Sequence, residues 1–331
     1  MNILTIDTGT TNSRVTVWKD GDVAGQAARQ VGVRDTAITG SKAKLEEGVR
    51  ETIADALADA GLEKGDIGRV VASGMITSNV GLCEIPHVPA AAGIADLTGA
   101  MRESLTHVWH EPIWFVPGVR NPVDHIGLHN CEAMDMMRGE EVESFALVER
   151  LGIAEPTVVV LPGSHSKFVS IDEKQRIEGC VTTLAGELLH VISHDTILAG
   201  SLKEGFAKEI DTDMLLAGAN SAKKIGLGRA CFSVRILDQF AVYDANARAN
   251  FLLGAVLGSD LLTLKNSSAI RMSPGTRFVI SGKRILREAI AKLVQGDDFF
   301  SGTITVLDDD DQRDLAGYGA IAVARQRGLI D

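Results

Sequence analysis

One pattern occurs twice in this chain and constrains its fold more than any other: an apolar strand, a short turn of Gly and hydroxyl residues, then two further strands. Near the start, residues 2–7 form a nearly continuous apolar run, Thr8-Gly9-Thr10-Thr11-Asn12-Ser13 reads as a turn, and 14–19 and 22–31 follow as strands. Near the middle the order returns as 157–161, the turn Pro162-Gly163-Ser164-His165, then 166–171 and 176–182. The residues themselves do not repeat, so the likeness is one of architecture and not of a repeat array. At 331 residues the chain exceeds the size at which one hydrophobic core stops growing. Two α/β domains are therefore expected, 1–135 and 136–331, with a ligand cleft between them.

Between these units, apolar residues at helical spacing (Leu45, Val49, Ile53, Ala56, Leu57) predict a helix over 42–60, stopped by Gly61. Residues 70–73 and 113–116 read as strands, 121–139 as a structured loop and domain junction, and 140–150 as a helix. The second half reads as helices over 185–198, 211–225, 232–238 and 245–265. It continues with a strand at 277–281, a helix at 285–294, a strand at 303–306 and a helix at 314–328.

A formal net charge of −11 supplies no basic stripe for a polyanion, so nucleic acid is not an expected partner. The opening residues lack a basic leader, and no apolar run reaches the roughly 18–20 residues that span a bilayer. No membrane partner is expected and a cytoplasmic location is. A homodimer is the default for a metabolic enzyme. Four cysteines without C-x-x-C spacing read as reduced thiols. His190/His194 and His125/His129 have helical spacing but no third ligand, which disfavours zinc. Neither the Walker loop, the dinucleotide G-x-G-x-x-G nor the hydrolase G-x-S-x-G is present.

The two turns carry the chemistry. Asp7 ends a buried strand, and Thr8, Gly9, Thr10, Thr11 and Asn12 follow it. Such a turn brings backbone N–H groups and hydroxyls to phosphate oxygens while the carboxylate holds Mg²⁺, although an ordinary hairpin with an Asx-type turn has the same composition. In the second turn Gly163, Ser164, His165 and Ser166 repeat the device, and Lys167 adds a cation for the transferred phosphoryl group. A solvated strand lysine and a structural imidazole are the plainer readings of Lys167 and His165. Gly282-Lys283 after a strand is a third turn, on which a nucleobase or ribose can lie because no Cβ intrudes.

Two hydroxyl-rich hairpins followed by a strand–Gly junction resemble the superfamily of sugar kinases, heat-shock ATPases and actin. More narrowly, Ile6–Arg14, Gly74-Met75-Ile76-Thr77-Ser78-Asn79-Val80-Gly81, Met137-Arg138-Gly139-Glu140-Glu141, Leu161–Val169 and Ala185-Gly186-Glu187-Leu188 resemble the 2-dehydro-3-deoxygalactonokinases along nearly the whole chain. The resemblance implies two ribonuclease-H-like α/β domains with an interdomain cleft. It also implies transfer of phosphate from ATP, with Mg²⁺, to the 6-hydroxyl of 2-keto-3-deoxy-D-galactonate. Related sugar kinases take their base from a Gly-Asp-Gln segment before the second phosphate loop. Here Gly139-Glu140-Glu141 stands in that place, so Glu140 is the first candidate base, with Asp135 and Asp7 as competitors. Arg14, Ser78, Asn79 and Arg138 are the candidate substrate-binding set. A kinase for another sugar or sugar acid, or an ATP-binding sensor on the same fold, are the alternatives.

Overall fold

Strand β1 (Asn2–Thr8) is covered on both faces, which is why its sequence lacks the alternation of a half-exposed strand. It pairs antiparallel with β2 (Ser13–Lys19), which pairs with β3 (Asp22–Arg29). Helices α1 (Val33–Thr39) and α2 (Ala43–Ala60) follow, then β4 (Ile67–Gly74), which runs parallel to β1. Next come β5 (Val88–Pro89), α3 (Ile94–Ala100), β6 (Arg102–Ser104), β7 (Ile113–Phe115), β8 (Val119–Arg120) and β9 (Met136–Met137). The first sheet has the order β3-β2-β1-β4-β7-β6, and β5, β8 and β9 form a small sheet beside it. The structure is a computed structural model and describes residues 1–203 and 205–330.

Helix α4 (Glu140–Leu151) leads to the second unit: β10 (Thr157–Leu161), β11 (Ser166–Ile171) and β12 (Ile177–Thr183). A helical block follows, comprising α5 (Ala185–His194), α6 (Ala199–Leu202), α7 (Thr212–Ile225), α8 (Leu227–Phe240) and α9 (Ala245–Asn266). The chain returns through β13 (Arg277–Ile280), α10 (Arg284–Gln295), β14 (Ile304–Val306) and α11 (Leu315–Gln326). The second sheet has the order β12-β11-β10-β13-β14, the first sheet's arrangement over again. In each, the opening strand has an antiparallel neighbour on one side and a parallel one on the other. Ligands bind beyond the carboxyl ends of strands at such positions.

Helices α4 and α11 lie between the sheets. Val142, Phe145 and Leu147 of α4 and Ile321 and Val323 of α11 share one buried cluster with Trp18 and Val71 of the first sheet and Val159 and Val169 of the second. At roughly 1.5–3 kcal/mol for each large apolar side chain buried, this layer is a principal tie between the two halves. A cut at 135/136 thus separates the two large sheets but divides β9 from β8 in the small sheet and leaves the apolar layer shared.

Some expected elements differ in extent. The strand expected over 22–31 stops at Arg29, because the Ser13 hydroxyl donates to the Val31 carbonyl and draws the chain out of the ladder. The helix expected over 185–198 breaks after His194 and resumes as α6. Helix α8 is twice the length read from its apolar residues. Helices α1 and α3 are seven residues each, too short for a periodic signal, and were not expected.

Candidate active site

The first turn is held from inside and from behind, which leaves its outer rim free. The Thr8 and Ser13 hydroxyls meet at 3.0 Å in the interior, and the Gly9 N–H donates to the Asn12 carbonyl at 2.8 Å. Val33 and Arg34, in the first turn of α1, donate to the Gly9 and Thr10 carbonyls. The Thr10 and Thr11 N–H groups have no partner among the described residues. Thr8 is therefore a structural hydroxyl, and Thr10, whose N–H is unpaired among the described residues, is the hydroxyl residue of this turn that borders the large cavity.

The second turn is braced by the start of α5. Glu187 N–H donates to the Ser164 carbonyl at 3.0 Å, and His165 Nε2 lies 2.9 Å from Glu187 Oε1. This approach depends on Gly186: a Cβ there would come within 2.1 Å of the Gly163 carbonyl oxygen. The third turn is clamped as well, with Gly282 N–H donating to Gln312 Oε1 at 2.6 Å and Arg287 donating to the Gly282 carbonyl at 3.0 Å.

The three turns converge on a cavity of about 270 Å³ lined by Asp7, Gly9, Glu140, Glu143, Gly163 and Gly282. Two larger cavities share its walls. One, about 590 Å³ and largely apolar, lies between α5 and α10, against Leu189, His190, Phe206, Lys283 and Ile285; this is the character of a nucleobase pocket. The other, about 820 Å³, is lined by Gly9, Thr10, Ser78, Asn79, His87, Arg138, Glu140, Gly163, His165 and Lys167. Gly9, Arg138, Glu140, Gly163 and His165 border both it and the phosphate-side cavity.

Acidic groups crowd where the cavities meet. Burial pushes the Asp7 carboxyl up; Arg14, whose Nη1 lies 3.3 Å from Asp7 Oδ2, pulls it down, and Glu140 adds repulsion. Glu143, one turn along α4 from Glu140, is pushed up to about 8 by burial and by the charges of Asp7 and Glu140. Glu141 faces inward, accepting the Gly139 N–H at 2.8 and 3.0 Å, and burial holds its carboxyl well above the usual range. Glu140 Oε2 accepts the Arg138 N–H at 3.1 Å and keeps its place on both cavities.

The larger cavity has a cationic wall. Arg138 donates to the Thr77 hydroxyl and the Ile85 carbonyl, each at 2.7 Å, and lies 3.4 Å from His87 Nδ1. Lys167 is almost fully buried, donating to the Met136 carbonyl at 2.7 Å and the Thr182 hydroxyl at 2.5 Å.

Of the residues singled out in the sequence, the structure gathers Asp7, Gly9, Thr10, Ser78, Asn79, Arg138, Glu140, Gly163, Ser164, His165, Lys167, Gly282 and Lys283 on these connected cavities. Others lie apart. Arg14 pairs with Asp7 and does not line the large cavity. Asp135 accepts hydrogen bonds from Met136 N–H, Thr182 N–H and the Thr182 hydroxyl and borders none of the three cavities. Thr11 and Asn12 are exposed and bonded to each other, and Ser166 is buried in β11. Lys167 lies on the large cavity and not on the phosphate side. Glu143 and His87 were not expected. Glu143 was legible as the i+3 neighbour of Glu140 on one helix face, whereas His87, between Pro86 and Val88, had no periodic signal.

Two lobes of like topology, each bringing a turn rich in small and hydroxyl residues to a shared cavity, have the fold of the sugar kinases and actin-like ATPases. Residues 7–305 match the family described as 2-keto-3-deoxy-galactonokinase, and the chain belongs to that family and is a kinase. The Escherichia coli (strain K12) 2-dehydro-3-deoxygalactonokinase is 27% identical over 278 residues, covering 82% of this chain and 85% of that one. A crystal structure of a Sinorhizobium meliloti protein, named as a candidate 2-dehydro-3-deoxygalactonokinase, superposes with a TM-score of 0.74 at 23% identity, over 98% of this chain and 96% of that one. Component A of the Acidaminococcus fermentans (R)-2-hydroxyglutaryl-CoA dehydratase shares the fold more distantly, with a TM-score of 0.50 and 14% identity over 99% of each chain. No helix among the described residues is long and apolar enough to cross a membrane.

Proposed function

We propose that the protein transfers the γ-phosphoryl group of ATP to the 6-hydroxyl of 2-keto-3-deoxy-D-galactonate, with Glu140 as the general base. The observation that carries this reading is the position of Glu140, the carboxylate that borders both the phosphate-side cavity and the large cationic one. A base must be within reach of the attacking hydroxyl, and Glu140 stands where the two cavities meet while the Asp135 carboxylate is committed to Thr182 and Met136. Residues 1–135 then supply the first phosphate turn and much of the sugar-acid wall, and 136–331 the second phosphate turn and the nucleoside pocket.

The Gly9–Thr10 end of the first turn on one side and the Gly163–His165 turn on the other orient the triphosphate and stabilise charge as it moves. Lys283, the apolar wall of α5 and the start of α10 receive the nucleoside. Arg138, Lys167, Ser78 and Asn79 offer cations and hydrogen-bonding groups to the sugar acid.

Magnesium fits this arrangement. Asp7 and Glu143 border the smaller cavity, and burial, with a lesser repulsion from Glu140, raises both carboxyls; a cation placed there would offset both effects. Among the described residues no three acidic, His or Cys side chains are grouped to hold an ion alone, which suits a metal bound by one or two carboxylates together with phosphate oxygens. When bound, the ion supplies charge neutralisation on the transferred group. Asp7 would hold it, with Glu143 as the second acid.

A coupled ADP-release assay across 2-keto-3-deoxy sugar acids and neutral sugars tests the reading. The expected outcome is turnover selective for 2-keto-3-deoxy-D-galactonate and dependent on a divalent ion. Equal turnover of neutral hexoses, or none with any keto acid, overturns it.

A further inference from the structure

We propose that His87 is a specificity-determining residue, donating a hydrogen bond from Nε2 to a carboxylate or 2-keto oxygen at the acid end of the substrate. The inference deepens the function proposed above and rests on it. His87 borders the large cavity but not the phosphate-side one, as do Lys167 and Thr182. These residues therefore mark the end of the chamber away from the phosphates. A sugar acid whose terminal hydroxyl lies at Glu140 extends its acid end toward them.

The tautomer follows from hydrogen-bond bookkeeping. The ring Nδ1 lies 3.4 Å from Arg138 Nη2, and a guanidinium has donors only, so Nδ1 accepts and the proton resides on Nε2. That Nε2 is buried with no partner among the described residues. A buried N–H without an acceptor is costly, and such groups in folded proteins call for an explanation. Nε2 itself is closed to solvent in this structure, so a substrate oxygen supplies one once the ring, part of which lines the large cavity, turns Nε2 into it. Burial, with the positive charges of Arg138, Arg120 and Lys167, lowers the imidazole to about 4, so the ring stays a neutral donor across the range in which the enzyme would be assayed.

The surroundings select an anionic oxygen. Arg138 donates to Thr77 and Ile85 and lies against His87, while Lys167, 3.8 Å from the Asp135 carboxylate, has one of its three N–H donors left after Met136 and Thr182; the carboxylates of Glu84 and Glu140 line the same cavity. Two cations and an unpaired N–H suit an acceptor-only group such as a carboxylate, or the adjacent keto oxygen, and would leave a neutral polyol with fewer matched contacts. Discrimination of this kind is large because rejecting the wrong ligand leaves the buried donor unpaired.

The test uses His87→Leu and His87→Gln in the full chain, with kcat and KM measured for the keto acid and for its 2-hydroxy counterpart. His87→Leu should raise the keto-acid KM by about 10–100-fold with kcat within about 3-fold and the KM for ATP unchanged; His87→Gln, which keeps a donor, should recover part of the loss. Loss of preference between the two acids assigns the contact to the keto oxygen, and an equal loss for both assigns it to the carboxylate. An unchanged KM in a His87→Leu protein that binds ATP normally overturns the inference and leaves the kinase reading intact. Should that variant fail to fold, imidazole ¹⁵N NMR of the wild-type protein decides: the Nε2–H resonance must shift on saturation with the sugar acid, and its failure to move overturns the inference. Should the wild type phosphorylate no keto acid, the kinase reading falls separately, and calorimetric titration of wild type and His87→Leu with the acid still decides whether His87 binds it.

Discussion

Arg138 Nη1 donates to the Thr77 hydroxyl at 2.7 Å, joining the segment that leads into α4 to the loop that follows β4. With its second bond, to the Ile85 carbonyl, the same guanidinium holds both ends of the loop that carries Ser78 and Asn79. A side chain read from the sequence as a substrate contact thus also sets the shape of the cavity wall.

Arg138→Met should therefore damage sugar-acid binding more than nucleotide binding. The expected result is a rise of about 10²-fold in the keto-acid KM, with the ATP KM changed little, and Arg138→Lys should not restore it because an ammonium cannot span two acceptors in a fixed fork. Steady-state kinetics with each substrate varied in turn checks this.

Glu140→Gln should lower kcat by roughly 10²–10⁴-fold, the scale for losing a general base, with the sugar acid still bound. Isothermal titration with the acid, alongside turnover, separates the two. Near-normal turnover would remove Glu140 from the chemistry and turn attention to Glu143, its neighbour one helical turn on.

Asp7→Asn should raise the Mg²⁺ concentration for half-maximal activity by about 10-fold or more, since a neutral amide is a poorer ligand than a carboxylate for a hard cation. Titrating the metal at fixed ATP measures it. An unchanged Mg²⁺ requirement would show that the strand-end carboxylate does not hold the ion.

Gly186→Ala should disturb the second phosphate turn and leave the Ser78, Asn79 and Arg138 part of the sugar-acid wall in place. Its Cβ would lie 2.1 Å from the Gly163 carbonyl oxygen and 2.7 Å from Ser164 Cα, both of them backbone atoms. The expected cost is about 1–3 kcal/mol of stability and a several-fold higher ATP KM. Thermal melting with and without nucleotide reads both.

Asp260, which lines none of the three cavities, gives a pH test of stability. Burial raises its carboxyl from 3.8 to about 7; its Oδ2 has no partner, and the nearby Thr183 hydroxyl, itself unpaired, offsets little of the shift. Folding therefore takes up a proton here: the contribution to stability is fully present below the unfolded pKa and is lost as pH rises through the folded one. Asp260→Asn should stabilise the protein at about pH 8 by on the order of 2 kcal/mol, with the gap closing toward about pH 4. Denaturant melts at the two pH values check the sign.

The sequence alone determined the parts whose physics is local. Continuous apolar runs specify β1 and β10 as buried strands, small hydroxyl and Gly residues specify the turns after them, and the repeated order implies two like lobes. The elements lost to it are those whose stability comes from neighbours, such as α1, which is seven residues long and grips Gly9 and Thr10 from behind. Tertiary structure alone decided which way the polar side chains were spent. In the sequence Lys167 followed the second turn and Asp135 competed with Glu140 as base, yet the approach of β9 to β12 commits the carboxylate to Thr182 and places Lys167 on the large cavity. His87 and Glu143 reach the site because α4 packs between the sheets and Arg138 pins the loop below it. Hydrogen-bonding partners and desolvation arise between segments remote in sequence, so no reading of spacing along the chain contains them.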